Sequence, residues 1–404
     1  MRKNPTGNNA YLKELNQKTI LDLIRIKKVV SKAELSKLTG LSPTAVGVIT
    51  SNLNEMGYIH ETGIGESSGG RKPIMLELRP GSYYSIGIDI DVGNVSIVLL
   101  DITCEVIYSG QFAIPSPITA EVLVEIIEKE LISILYRHSV NLDKVLGIGI
   151  SIPGLIENEV QRIVLAPNLG WQDTDIRKYF KGIGTVPVYL ENEAMASAIC
   201  ENWIGSCQNI SNFICINVKS GIGSGIFTGG SLYRGTGGSA GEIGHITVDE
   251  NGPRCGCGNY GCLETMASVK YMVDKAKRMV RQGSASKLNE TGDIDSIDID
   301  DVIAAARSGD EMATGIIAES ARYLGIAISN LVNTLNPSKV ILGKEFIKYA
   351  DLAMENLKAV VAAKALQYPA SKVVVDVSYI GGETSELGAA IIPLKLLFKN
   401  RNLS

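Results

Sequence analysis

The chain has 404 residues, 45% hydrophobic and 20% charged, which is material for two or three domains with buried cores and excludes a disordered protein. Its apolar runs, such as 94–102 and 145–152, fall short of the ~20 residues of a membrane span, and Met1–Asn16 has no signal-peptide core. Seven cysteines, an odd count, predict a reduced cytoplasmic chain without a disulfide framework.

The net charge of −4 conceals an asymmetry. Residues 1–79 carry 12 Lys and Arg against 7 Asp and Glu, whereas the remainder carries 27 against 36. A basic head on an acidic body predicts that the head meets a polyanion.

The head reads as three helices and a hairpin. Leu15, Ile20, Leu21, Leu23, Ile24 and Ile26 give the first helix its apolar stripe. Ser31 caps a short helix over Lys32–Leu38, with Glu34 at the capping-box position, and Gly40 supplies the positive φ that ends it. Ser42 caps the next helix and Pro43 takes its first position, with Val46, Ile49 and Leu53 on the buried side. Strands at Tyr58–Thr62 and Ile74–Leu78 flank the loop Gly63–Pro73. Helix, turn, helix and hairpin make a winged helix-turn-helix, so residues 1–80 are expected to bind DNA. The predicted outward face carries Ser42, Thr44, Ala45, Gly47, Val48, Thr50 and Ser51, small residues and hydroxyls suited to close approach and to base edges or phosphates. Gly70, Arg71 and Lys72 at the loop tip are expected to enter a minor groove.

After Pro80-Gly81 the texture becomes α/β. Strands at Ser85–Ile90, Val95–Asp101 and Cys104–Tyr108 share a pattern with Phe213–Val218, Ile226–Thr228 and Ser231–Tyr233, the second set interrupted by the Gly-rich turn Gly221-Ile222-Gly223-Ser224-Gly225. The repetition predicts two related lobes, roughly 81–193 and 194–380, within a domain 81–404, with the C-terminal helix returning and a ligand cleft as the default site. Helices are expected at Ala120–His138, Ala194–Gly205, Ser268–Gln282, Asp310–Leu335 and Ala350–Lys364, and a buried strand at Lys339–Leu342.

The strongest chemical signal is His245-x9-Cys255-x-Cys257-x4-Cys262. One imidazole and three thiolates match a closed tetrahedral structural Zn2+ site, and Gly256, Gly258 and Gly261 let a short loop fold around an ion. Cys104, Cys200, Cys207 and Cys215 lie on predicted strands or a helix and read as core residues. A second cluster, Asn168, Glu191-Asn192-Glu193, Glu242 and Glu264, offers carboxylates and carboxamides, the groups that a polyhydroxyl ligand needs, because one carboxylate can accept from two adjacent hydroxyls.

Asp89-x-Asp91-x-Gly93, Pro153-Gly154, Ala166-Pro167-Asn168-Leu169-x-Trp171, Glu191-Asn192-Glu193-Ala194, Gly241-Glu242-Ile243-Gly244-His245 and the run from Cys255 to Glu264 resemble the ROK family of repressors, open reading frames and sugar kinases. The resemblance covers about residues 10–395, and the winged helix with Gly69-Gly70-Arg71-Lys72-Pro73 is similar to its xylose-repressor branch. It implies an actin/hexokinase-like two-lobed domain with a sugar between the lobes. Asn168, Asn192, Glu193, Glu242, His245 and Glu264 would face the sugar, while His245 and the three cysteines hold zinc.

The departures separate repressor from kinase. Asp91-Val92-Gly93-Asn94 stands where the family's kinases have Gly-Gly-Thr-Lys, Glu193 where they have a catalytic Asp, and Lys344 where they tend to have a glycine near the nucleotide. One extra methylene displaces a general base, which alone can lose ~10²-fold. The expectation is therefore a sugar-responsive repressor of carbohydrate genes, xylose among them, and not an enzyme. It would be a homodimer, or a tetramer built from it, on a pseudo-palindromic operator, with the sugar as inducer. The alternatives are a sugar kinase that kept its DNA-binding head and a repressor controlled by a protein partner.

Overall fold

The computed structural model describes residues 9–64, 73–290 and 292–399. Their contacts divide the chain into two compact units: Met1–Ile152 with Val160–Glu191 and Ala389–Ser404, and Pro153–Glu159 with Asn192–Gly388.

The first unit opens with helices Asn9–Lys27, Lys32–Thr39 and Pro43–Glu55. A three-stranded antiparallel sheet places Ile74–Leu78 between Val30–Ser31 and Ile59–Ile64. Local chemistry sets the boundaries. Ser31 Oγ accepts from Glu34 N, Gly40 ends the second helix at φ 71°, and Ser42 Oγ accepts from Ala45 N with Pro43 behind it. Ile20, Leu21, Ile24, Leu35, Val46, Ile49, Leu53, Ile59 and Leu76 are buried and form the head's core.

The head is fastened to the α/β sheet of the same unit. Tyr83 Oη donates to Met56 O at 2.9 Å, Arg79 reaches Asn54 at 3.2 Å, and the Tyr58 and Tyr83 rings lie 4.7 Å apart. Gly81 N donates to the buried Asp101 carboxylate at 2.8 Å.

That sheet has five strands in the order Val188–Asn192, Val145–Ile152, Tyr84–Asp91, Asn94–Asp101, Val106–Ala113. Tyr84–Asp91 runs parallel to Val145–Ile152 and antiparallel to Asn94–Asp101. Helix Ala120–Arg137 buries Leu123, Val124, Ile127, Leu131 and Ile134. The last residues of helix Thr384–Phe398 also pack here, and a Cβ on Gly149 would fall 1.9 Å from Ala389 O, so only glycine admits that helix.

The second unit repeats the pattern: Ser231–Leu232, Ile222–Thr228, Phe213–Val218, Lys339–Lys344, Val374–Val377, antiparallel on one side of Phe213–Val218 and parallel on the other. Helices Val269–Arg281, Ile299–Arg307, Glu311–Leu335 and Ala350–Lys364 build a core around Ile214, Ile216, Leu324, Ile328 and Leu357, and helix Glu193–Trp203 packs against the strands at Asn217 and Gly225. The fold is thus mixed α/β, an N-terminal winged subdomain on a two-lobed core. No described helix is long and apolar enough to cross a membrane.

Two expectations need correction. The third strand of the first sheet spans Val106–Ala113, not Cys104–Tyr108, because Asp101 gathers Thr103 N and Glu105 N into a turn that leaves Cys104 at φ 67°. The Gly-rich run 221–225 is no loop beyond Gly221: Ile222 already belongs to a strand. A Cβ on Gly225 would lie 2.4 Å from Ala198 Cβ, so that glycine admits helix Glu193–Trp203 against the sheet.

Candidate functional site

Four ligand atoms of the second unit converge. His245 ends the short turn Ile243–His245, and Cys255, Cys257 and Cys262 lie on the loop beyond it. All four donor atoms lie within 4.8 Å of one another. Cys255 Sγ stands 3.7 Å from His245 Nδ1, and Cys257 Sγ 3.7 Å from Cys262 Sγ. A disulfide needs ~2.05 Å, so the thiols are not bonded. A tetrahedral ion with bonds of ~2.3 Å to sulfur and ~2.0 Å to nitrogen has edges of roughly 3.6–3.8 Å, which these separations match.

Backbone geometry closes the cage. Val248 N bonds Gly261 O at 2.9 Å, and Cys255 N bonds Asn259 O at 2.7 Å. Gly258 and Gly261 have φ of 97° and 61°, and a Cβ on Gly261 would fall 1.5 Å from Asp249 O. Gly256 adopts ordinary φ with open space beside it, so of the three loop glycines it is not required. Burial pushes the Cys262 thiol up to about 12, and the neighbouring thiols add to the shift. A bound cation reverses that balance by favouring the thiolates.

Glu242 and Glu264 flank this loop. Glu264 follows Cys262 by two residues, and its Oε2 accepts from Ile222 N at 3.2 Å. The bare Gly221 makes room for it, since a Cβ there would lie 2.7 Å from the same oxygen. Burial raises the pKa of Glu242; the charge of Glu264 adds to the rise and His245 opposes it, so these three groups feel one another. Asn192 caps helix Glu193–Trp203: its Oδ1 accepts from Ala194 N and Met195 N, and its Nδ2 donates to Gly154 O. Its side chain is thus engaged as a cap. Glu193, in the first turn, carries an oxygen 3.4 Å from Lys219 Nζ and 4.0 Å from Lys344 Nζ. Lys344 also pairs with Glu386 at 3.7 Å. Asn168 belongs to the first unit, exposed in the turn Pro167–Leu169 of a hairpin anchored by Trp171 Nε1 on Ile118 O.

In the head, Ser42, Thr44, Val48 and Ser51 are exposed on helix Pro43–Glu55 or at its start, with Ala45 and Gly47 half-buried. Thr50 is not on that face. It is 1% exposed, and its hydroxyl bonds Val46 O and Gly47 O, because it sits four residues after Val46 on the apolar stripe. Gly70, Arg71 and Lys72 lie outside the described residues.

The turn after the first strand of the α/β sheet, where the resemblance implies phosphate binding in kinases, closes on its own side chain. Asp91 Oδ1 accepts from Val92 N at 2.7 Å, so a carboxylate already engages that backbone donor.

The ROK family model matches residues 85–395. The chain belongs to the ROK family. A xylose repressor of Caldicellulosiruptor bescii is 34% identical over 95% of this chain and 96% of its own length. Among solved structures, a ROK family transcriptional regulator, a homologue of the E. coli MLC protein, superposes with a TM-score of 0.84 at 28% identity, covering 96% of this chain and 97% of that one. A ROK family glucokinase from Streptomyces griseus, solved with glucose and AMPPNP, reaches 0.67 at 28% identity and covers 98% of its own length but 76% of this chain. This ROK protein is therefore a transcriptional regulator, similar along its whole length to regulators and to the kinases only in part.

Three residues of the carboxylate cluster escaped the sequence reading: Lys219, Glu386 and, as an ion-pair partner, Lys344. The one signal was Lys344 itself, a lysine at a position where the family's kinases tend to have glycine.

Proposed function

We propose that this ROK regulator is a sugar-responsive DNA-binding repressor. Helix Pro43–Glu55 enters the major groove of a pseudo-palindromic operator as part of a homodimer, and the tip Gly70-Arg71-Lys72 contacts the adjacent minor groove. The sugar is taken by Glu242, His245, Glu264 and Glu193, and D-xylose is the first candidate because the C. bescii relative is a xylose repressor. The observation that carries this reading is Asp91 on Val92 N: a backbone donor of that turn is engaged by the protein's own anion while the sugar-type carboxylates are kept.

The loop around His245, Cys255, Cys257 and Cys262 would hold Zn2+, whose charge keeps the thiolates ionised and crosslinks the loop. With four protein ligands it leaves no open position for water, so its role is structural. His245 belongs to both the ion's ligands and the sugar cluster, and Glu264 sits two residues from Cys262, so the folded loop presents both to one ligand. Reduced thiols suit the cytoplasm.

Sugar changes operator affinity only by binding the two states of the regulator unequally, and a coupling of ~1–3 kcal/mol weakens DNA binding roughly 5–150-fold. Titration of labelled operator DNA with the wild-type protein, with and without D-xylose, tests this. Glu264→Ala should bind operator as wild type does and fail to release it with sugar. Release at the wild-type sugar concentration refutes the assignment of Glu264, and phosphorylation of D-xylose or D-glucose with ADP release overturns the repressor reading in favour of a kinase.

A further inference from the structure

Lys344 is hard to account for by folding alone. Its backbone stands at φ 59°, ψ −134°, a region that belongs almost entirely to glycine. Its side chain is 6% exposed, and its ammonium lies between Glu386 Oε2 at 3.7 Å and Glu193 Oε1 at 4.0 Å. Lys219 Nζ approaches the same Glu193 oxygen from 3.4 Å. Two lysines and two carboxylates thus form one charge-balanced, largely buried cluster, with Lys219 21%, Glu193 14% and Glu386 8% exposed. Neither the strained backbone nor the desolvated head group favours folding, since a buried ion pair seldom repays its lost hydration.

What the cluster does provide is a fixed carboxylate. Glu193 opens helix Glu193–Trp203, whose N-terminus is already capped by Asn192, so the ammonium groups and not the helix end dictate where its oxygens lie. Lys219 carries the restraint further. Its carbonyl accepts from Val269 N at 2.8 Å, its N–H bonds Gly221 O at 2.9 Å, and the next residue after that turn, Ile222, donates to Glu264.

We propose that Lys344 is a positioning residue for the sugar site: paired with Glu193 and Glu386, it holds the Glu193 carboxylate in the posture that receives two sugar hydroxyls. This rests on the reading that Glu193 is a sugar ligand. In this chain the lysine sets an internal cation at the place where the resemblance implies a glycine in the family's kinases.

The test is calorimetric titration of the full-length protein with D-xylose and with D-glucose, alongside operator binding and thermal melts. Lys344→Gly is the decisive variant, because glycine adopts this φ and ψ freely and only the ammonium is lost. It should weaken binding of the sugar roughly tenfold or more, as loss of a group that orients a ligand does. Lys344→Arg should stay within about threefold of wild type, and Lys344→Gly added to Glu193→Gln should weaken binding no further than Glu193→Gln alone. The thermal melt should show no loss of stability, a readout that a misfolded second unit would not preserve. If Glu193→Gln loses sugar and Lys344→Gly binds it as wild type does, or if the two losses add, Lys344 does not position Glu193 and only this inference falls. If Glu193→Gln binds sugar normally, or the wild-type protein binds neither sugar, the underlying assignment falls and takes the positioning role with it.

Discussion

Substituting Gly261 by alanine probes the metal loop without touching a ligand. The new Cβ would stand 1.5 Å from Asp249 O, and contacts under 3.0 Å are essentially never seen, so the loop must shift by at least 1.5 Å there. Cys262 is the next residue, and a metal–sulfur distance tolerates only about ±0.2 Å around ~2.3 Å. The φ of 61° adds strain of order 1–2 kcal/mol for a residue with a Cβ. Gly261→Ala should therefore lose most of its Zn2+, whereas Gly256→Ala, with open space beside it, should keep it and stay within about 0.5 kcal/mol of wild-type stability. Elemental analysis of protein purified without chelator, together with urea denaturation, reads both. Stoichiometric zinc and unchanged stability in Gly261→Ala would show that the loop is not closed as described. Absence of zinc from the wild-type protein would refute the identity of the ion.

Other consequences concern the head and the core. Arg71→Ala with Lys72→Ala should lower operator affinity more than tenfold and flatten its salt dependence, since the slope of log affinity against log salt falls by about 0.9 for each phosphate no longer neutralised. Thr50→Val should change stability and leave operator preference alone, because the hydroxyl is spent on Val46 O and Gly47 O, whereas Thr44→Ala should alter preference; a binding-site selection on both variants decides this. Asp310→Ala should destabilise the second unit by about 1–2 kcal/mol, the usual worth of an N-cap. Burial alone would raise the Asp310 pKa, but the N–H groups of Ala313 and Lys287 outweigh it and hold the carboxyl below its ordinary value. The folded pKa is depressed, so the contribution is complete above the unfolded value near ~4 and vanishes as pH falls through the folded one. The gap between wild type and Asp310→Ala in denaturant melts should be constant above the unfolded pKa and narrow on acidification below it, and a gap that widened on acidification would contradict the assigned cap.

Features written in short stretches of sequence were legible. Caps at Ser31 and Ser42, the end of a helix at Gly40 and the His-Cys spacing each depend on residues a few positions apart. Thr50 misled because hydroxyl chemistry suggested a DNA face while helical spacing from Val46 to Leu53 put it in the core. The run 221–225 looked like a phosphate loop because glycines serve two purposes, flexible turns and close packing, and here the helix bearing Ala194 and Ala198 claims them. The Lys344 cluster joins residues from positions 193, 219, 344 and 386, and no local pattern could announce it.

The junction at residues 79–83 has a consequence for how such regulators are built. Gly81 N on Asp101, Tyr83 on Met56 and Arg79 on Asn54 tie the seam to both sides. The head is not a cassette that can be exchanged by cutting at Pro80. A chimera carrying a foreign head would need partners for Tyr83 on the incoming side, in place of Met56 O and the Tyr58 ring, and a graft that ignored them would leave the head held by its tether alone.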